Sequence, residues 1–175
     1  MGRGFVEYHL TESARDAWVL TSAFIDYRLA DGSKLHIRQQ PAWCAACRRF
    51  VIAEAVPSVE ALEEEIGLDR SGDLDADTLH IREFVYGKSV EERIAELLRY
   101  VEWRQGRRGP PRCLECGAID PVPVPTSGEF AHPGTGERVV VGSSGFADAA
   151  PWYAEFSPEG ELLAEPGAAA DCVGM

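Results

Sequence analysis

Cys44-Ala45-Ala46-Cys47-Arg48 and Cys113-Leu114-Glu115-Cys116-Gly117 are the two stretches on which the reading of this chain turns. Each is a C-x-x-C pair, and the two-residue spacer lets one tight turn aim both sulfurs at a single point while backbone amides hydrogen-bond to them. Two such pairs supply four thiolates, the donor set of a tetrahedral metal site, so Cys44, Cys47, Cys113 and Cys116 are the expected metal ligands. Zinc is the expected ion, and iron in a rubredoxin-like site uses the same ligands. Gly117 suits the exit of the second turn because glycine takes positive φ without strain. Arg48 stands at the same place in the first, where a side chain is mildly strained.

At this point the chain resembles the zinc-ribbon proteins, in which two knuckles at the ends of β-hairpins share one zinc. The resemblance covers the knuckles and their flanking strands, not the segment between them or the tail. It implies a four-cysteine zinc ribbon of structural role. The separation of the knuckles far exceeds the roughly 15–20 residues of a compact C-x-x-C…C-x-x-C site, so the ribbon would have to carry an insertion. A second resemblance is local: Trp43-Cys44-Ala45-Ala46-Cys47-Arg48 is similar to the thioredoxin active-site pattern, which implies Cys44 as nucleophile and Cys47 as resolving thiol of a thiol-disulfide oxidoreductase. That pattern needs a buried parallel strand before it and a long helix after it. Here a hairpin signal precedes it and a β-branched run ending at Pro57 follows.

Outward from the first knuckle, Phe24–Leu29 and Lys34–Arg38 flank Asp31-Gly32, a hairpin turn signal, and Arg49–Val56 reads as a strand. Ser58 caps an expected short helix with Val59, Leu62 and Ile66 on one face and a stop at Gly67. Ser89 and Glu92 form a capping box before a longer helix whose apolar face is Val90, Ile94, Leu97, Leu98 and Val101, ending near Gly106. Residues 5–20 carry mixed signals, a short helix capped by Thr11 or Ser13 against a strand through Trp18-Val19-Leu20. Beyond the second knuckle, Pro121, Pro123 and Pro125 restrict their segment to an edge or connector. Arg138–Val141 reads as a strand. Trp152, Ala154 and Phe156 alternate before a Ser157-Pro158-Glu159-Gly160 turn into Glu161-Leu162-Leu163. The expectation is an α+β fold of antiparallel β-hairpins carrying the zinc ribbon. It comprises one domain over residues 1–164, with a helical insertion over 48–112, and a flexible tail over 165–175.

Composition narrows the function classes. In 175 residues the net charge is −12, which opposes nonspecific nucleic-acid binding because phosphate affinity comes from Lys and Arg. Asn is absent and lysine occurs only at Lys34 and Lys88, a bias that a GC-rich genome produces, so the arginine excess is weak evidence of phosphate recognition. No apolar run reaches the length of a membrane span and the start has no signal-peptide character, so a soluble, cytoplasmic protein is expected. Asp73-Leu74-Asp75-Ala76-Asp77 mimics the opening of a calcium loop, but Thr78 and Phe84 stand where its glycine and glutamate belong, which leaves a solvated acidic loop. His9, His36, His80 and His132 have no partner at a ligand or catalytic spacing, and Cys172 reads as a free thiol in the tail.

Four thiolates close a tetrahedral shell, and with no catalytic constellation in sight the expected function is a non-catalytic, zinc-stabilised binding or adaptor protein recognising another protein, as an immunity protein or inhibitor does. Its partner surface would be the acidic set Glu60, Glu63, Glu64, Glu65, Asp73, Asp75 and Asp77, whose alternative reading is a solvated helix face. A nucleic-acid-binding ribbon using Arg48, Arg49, Arg104, Arg107, Arg108 and Arg112 is the further alternative.

Overall fold

A computed structural model describes residues 3–21, 24–72, 87–149 and 152–164. The fold is mixed α+β, and the chain divides into two compact units, Met1–Ala55 with Gly109–Met175, and Val56–Arg108. The boundaries lie inside the segment between the knuckles: the strand after the first knuckle, and residues 109–112 before the second, belong to the cysteine-bearing unit.

That unit is built of strands. Residues 5–20, ambiguous in sequence, form a hairpin of β1 (Arg3–Leu10) and β2 (Arg15–Leu20). Thr11 and Ser13 cap no helix; Thr11 Oγ1 donates to the Arg138 carbonyl and Ser13 binds the Glu137 carboxylate, so both hydroxyls serve the turn. β1 also pairs with β9 (Arg138–Ala147), which pairs with β8 (Glu129–Ala131), giving a sheet of order β2-β1-β9-β8. The Asp31-Gly32 turn joins β3 (Phe24–Arg28) to β4 (Lys34–His36) as expected, with Gly32 at φ 81°. The Ser157–Gly160 turn joins β10 (Tyr153–Phe156) to β11 (Leu162–Ala164) and is closed by Gly160 N–H donating to the Ser157 carbonyl at 2.9 Å. These two hairpins are each antiparallel, and β10 lies parallel to β3. No local signal encodes that partnership, because the two strands are far apart in sequence.

The third sheet carries the first knuckle. β5 (Gln39–Cys44) lies between β6 (Arg49–Glu54) and β7 (Val122–Pro123), and the prolines make β7 an edge, as their missing N–H groups require. Phe50, Val51, Ile52, Ala53 and Glu54 of β6 are all buried, a continuous run that marks a strand covered on both faces. Aromatic packing links this sheet to the first: Tyr8 stacks on Phe50 at 4.8 Å between ring centroids, and Phe130 meets both rings edge-on. Ala154 and Phe156 are buried and Tyr153 is half exposed against Phe24, so this alternation serves the core.

The second unit is a pair of helices. Ser58 caps α1 (Val59–Ser71), accepting from the Ala61 N–H, and Leu62 and Ile66 are buried as the spacing predicts. The helix does not stop at Gly67. It continues to a left-handed Gly72, because Asp69, one turn beyond Ile66, is buried and bonded to Arg93 at 3.1 Å. α2 (Val90–Gly106) begins at the expected capping box. Its buried face is Leu97, Tyr100 and Trp103, with Arg107 stacked over the Trp103 ring, while Leu98 is exposed. Large aromatics outweigh the leucine in apolar area, which turns the helix away from the face read from aliphatic residues. Among the described residues no helix is long and apolar enough to cross a membrane.

Candidate metal centre

The two knuckles are built alike. In the first, Cys44 and Arg49 face each other at the end of the β5–β6 ladder, the Cys47 N–H donates to Cys44 Sγ at 3.4 Å, and the Arg48 N–H donates to the Cys44 carbonyl at 2.8 Å. In the second, Arg112 faces Ile119, the Cys113 N–H donates to the Ala118 carbonyl at 2.8 Å, and the Gly117 N–H donates to the Cys113 carbonyl at 2.9 Å. Both turns leave through a left-handed residue, Arg48 at φ 54° and Gly117 at φ 74°. Strand β6 brings the turns together. It pairs with β5 on one side, and on the other it receives Leu114 N–H on the Ile52 carbonyl at 3.1 Å and donates Glu54 N–H to the Arg112 carbonyl at 3.0 Å.

This arrangement gathers all four expected ligands. Their sulfurs lie within 4.8 Å of one another, with Cys44 to Cys116 at 3.6 Å and Cys47 to Cys113 at 3.9 Å. Disulfides need about 2.05 Å between sulfurs, so these are not bonded pairs. A tetrahedron of sulfurs with metal–sulfur bonds of about 2.3 Å has edges of about 3.8 Å, and the donor set fits such an ion. Cys44 and Cys113 are buried beside Ala42, Val51 and Ala53, while Cys47 is half buried and Cys116 exposed. Burial pushes the Cys113 thiol up to about 11, and burial with hydrogen bonds to Cys116 and Cys44 raises Cys47. At Cys116 burial acts in the same sense but is outweighed by the Ala118 N–H and the neighbouring thiols, which lower its pKa. Four thiolates in so small a volume repel one another, and a divalent ion would offset that repulsion.

The Cys44–Cys47 turn caps a hairpin and is followed by β6, so neither the parallel strand nor the helix of the thioredoxin pattern flanks it. Of the acidic residues read as a partner surface, Glu60, Glu63 and Glu64 are exposed on α1 and Glu65 is half buried; Asp73, Asp75 and Asp77 lie outside the described residues, as do His80, Cys172 and the segment 165–175. A hydrogen bond from its own backbone, then one from Ser58, and the charge of Arg104 hold the Glu60 carboxyl below its usual range. The arginines are largely engaged. Arg49 pairs with Glu115, Arg104 donates to the Pro57 and Arg107 carbonyls, Arg107 is buried against Trp103, and Arg112 donates to the Glu159 and Gly117 carbonyls.

Two groupings were not legible in the sequence. A cleft beside the first knuckle is walled by Trp43, Phe50 and His132. Separately, the β1–β2 register sets His9 opposite Asp16, with Nδ1 at 2.7 Å from its carboxylate and Nε2 at 3.7 Å from Glu7, which Ser143 Oγ also approaches at 2.7 Å. Asp16, then the charges of Asp16 and Glu7, raise the His9 pKa above its ordinary value of 6.5. The contacts make the grouping a cross-strand ion pair, and its three side chains each bring one possible ligand atom within 4.8 Å of the others. A raised folded-state pKa means that this pair contributes stability in full below about pH 6.5 and loses it as pH rises through the folded value. An imidazole NMR titration should therefore place His9 above 6.5, and His9→Gln should flatten the fall in stability over that window. An unshifted titration would sink this reading. Comparison of the chain with family models, curated proteins and solved structures finds no match.

Proposed function

We propose that Cys44, Cys47, Cys113 and Cys116 hold one structural zinc ion in a zinc-ribbon arrangement, and that the protein is a non-catalytic binding module whose partner is another protein. The observation that carries the metal reading is the pair of cross-knuckle sulfur separations, 3.6 and 3.9 Å, which bracket the edge of a zinc–thiolate tetrahedron. Four protein ligands leave no position for water or substrate, so the ion's work is to hold the two turns together. Zinc is the ion proposed because four thiolates in a tetrahedron suit its geometry, and iron would use the same donor set.

The partner reading rests on the exposed Glu60, Glu63 and Glu64 of α1, in a chain of net charge −12. Such a face steers a basic protein and repels nucleic acid. Elemental analysis of protein purified without added metal should give close to one zinc per chain, with a strong chelator lowering the melting temperature. A visible charge-transfer spectrum would replace zinc by iron. Metal-free, folded protein with a Cys44–Cys47 disulfide would overturn the proposal.

A further inference from the structure

We propose that the cleft beside the first knuckle is a binding site for a small planar anion, a flat ring bearing a phosphate or carboxylate. The cleft measures about 680 Å³, within the roughly 300–1,000 Å³ usual for small-molecule sites. Three turns surround it: the first knuckle, the β1–β2 turn, and the β8–β9 turn. This inference goes beyond the protein-partner reading and uses none of the acidic residues of α1.

The wall is aromatic and fixed. Trp43 meets His132 at 4.1 Å between ring centroids and 68°, and Phe50 meets His132 at 5.2 Å and 76°. His132 is buried, and its Nδ1 accepts the Gly134 and Thr135 N–H groups at 3.0 and 3.1 Å. With Nδ1 used as an acceptor, the ring proton sits on Nε2, a donor with no hydrogen-bond partner among the described residues. None of the buried side-chain nitrogens or oxygens described lacks a partner, so Nε2 is not wholly sealed from solvent, and the cleft is what His132 lines. Gly134 holds the β8–β9 turn against this wall, since a Cβ there would come within 3.1 Å of the Trp43 ring and 3.2 Å of His132.

The charge of the cleft selects the charge of its ligand. Its acids are committed: Asp16 to His9, and Glu137 to the Ser13 N–H and hydroxyl at 3.0 and 2.9 Å. Two of its three arginines are not, Arg49 being paired with Glu115. Arg15 and Arg48 are exposed, and their side chains have no hydrogen-bond or ion-pair partner among the described residues. Arg48 is the more telling of the two. It occupies the left-handed position that glycine fills in the matching second knuckle, and no internal contact of its side chain offsets that strain. A side chain kept at a strained position, with no internal partner, beside an aromatic wall and a lone N–H donor, fits the anionic end of a ligand whose ring lies on Trp43 and His132.

Calorimetry and amide NMR of the metal-loaded full chain would test this with adenosine 5′-monophosphate, indole-3-carboxylate, inorganic phosphate and adenosine as probes. At least one of the two ring-bearing anions should bind saturably, shifting the Gly134 and Thr135 amides, and should bind about tenfold or more tighter than phosphate or adenosine. Which of the two binds separates phosphate from carboxylate as the charged group. Arg48→Gly should keep the metal content and the melting temperature, because glycine relieves the turn, while weakening binding about tenfold to a hundredfold; Arg15→Ala, in the β1–β2 hairpin and outside the knuckle, should weaken it in the same sense. Absence of saturable binding by either ring-bearing anion, phosphate binding as well as both, or unchanged affinity in both variants would overturn the proposal. Loss of metal without loss of ligand would count against the zinc reading alone.

Discussion

Cys113→Ser is expected to abolish metal retention and unfold the strand unit. Cys113 is 1% exposed, shares a core cluster with Ala42, Val51 and Ala53, and its chain segment is what docks on β6. In small zinc-binding peptides the ion contributes roughly 10–16 kcal/mol of apparent folding free energy. Whole domains retain only about 5–15 kcal/mol, so losing one buried ligand outweighs what packing leaves in reserve. Cys116 is exposed, and the corresponding Cys116→Ser variant should lose less, because water can take the vacated position of the ion. Circular dichroism on both variants, with zinc quantified after dialysis, separates the two. Equal, small losses would mean that packing alone holds the knuckles.

The second large effect is expected at Glu54, which is fully buried at the end of β6. Its carboxyl accepts from the Tyr27 hydroxyl at 2.7 Å and from the Arg112 N–H at 2.7 Å, joining the β3–β4 hairpin to the segment that carries the second knuckle. A Cβ on Gly160 would lie 2.4 Å from Glu54 Oε1, so the Ser157–Gly160 turn also closes over this group. Glu54→Ala removes the acceptor of both the buried Tyr27 hydroxyl and the part-buried Arg112 N–H, at about 1–3 kcal/mol each, for a total of about 3–5 kcal/mol with the cavity included. Tyr27→Phe removes one donor together with its need, and should cost about 1 kcal/mol. Urea denaturation of both single variants and of the double variant would show coupling between them. If Glu54→Ala costs no more than a surface substitution, the carboxyl does not tie these elements together.

What the sequence disclosed was local chemistry. The Asp31-Gly32 and Ser157–Gly160 turns, the Ser89 and Glu92 capping box and the proline-marked edge strand each depend on a few adjacent residues, and each lies where its residues predict. Glu54 shows the opposite case: a glutamate at the end of a strand carries no mark that its partners are Tyr27 and Arg112. The parallel pairing of β3 with β10, the β1–β9 ladder and the opposition of His9 and Asp16 likewise arise only when distant segments meet. Gly67 misled because its helical context is set by the buried Asp69–Arg93 pair beyond it. The cluster of four cysteines was readable because C-x-x-C fixes two of them at a time, whereas the cleft is assembled from three turns and has no spacing of its own.

The hydrogen bond from Glu54 N–H to the Arg112 carbonyl has a consequence for how this chain can vary. The residues at which the strand unit releases the helical segment and recovers it are neighbours on one ladder, so the intervening stretch is a closed loop whose ends are fixed at the spacing of paired strands. Lengthening such a loop twofold raises the entropy of closing it by only about 0.6 kcal/mol. A change of length between residues 55 and 109 therefore adds little to the cost of closing this loop.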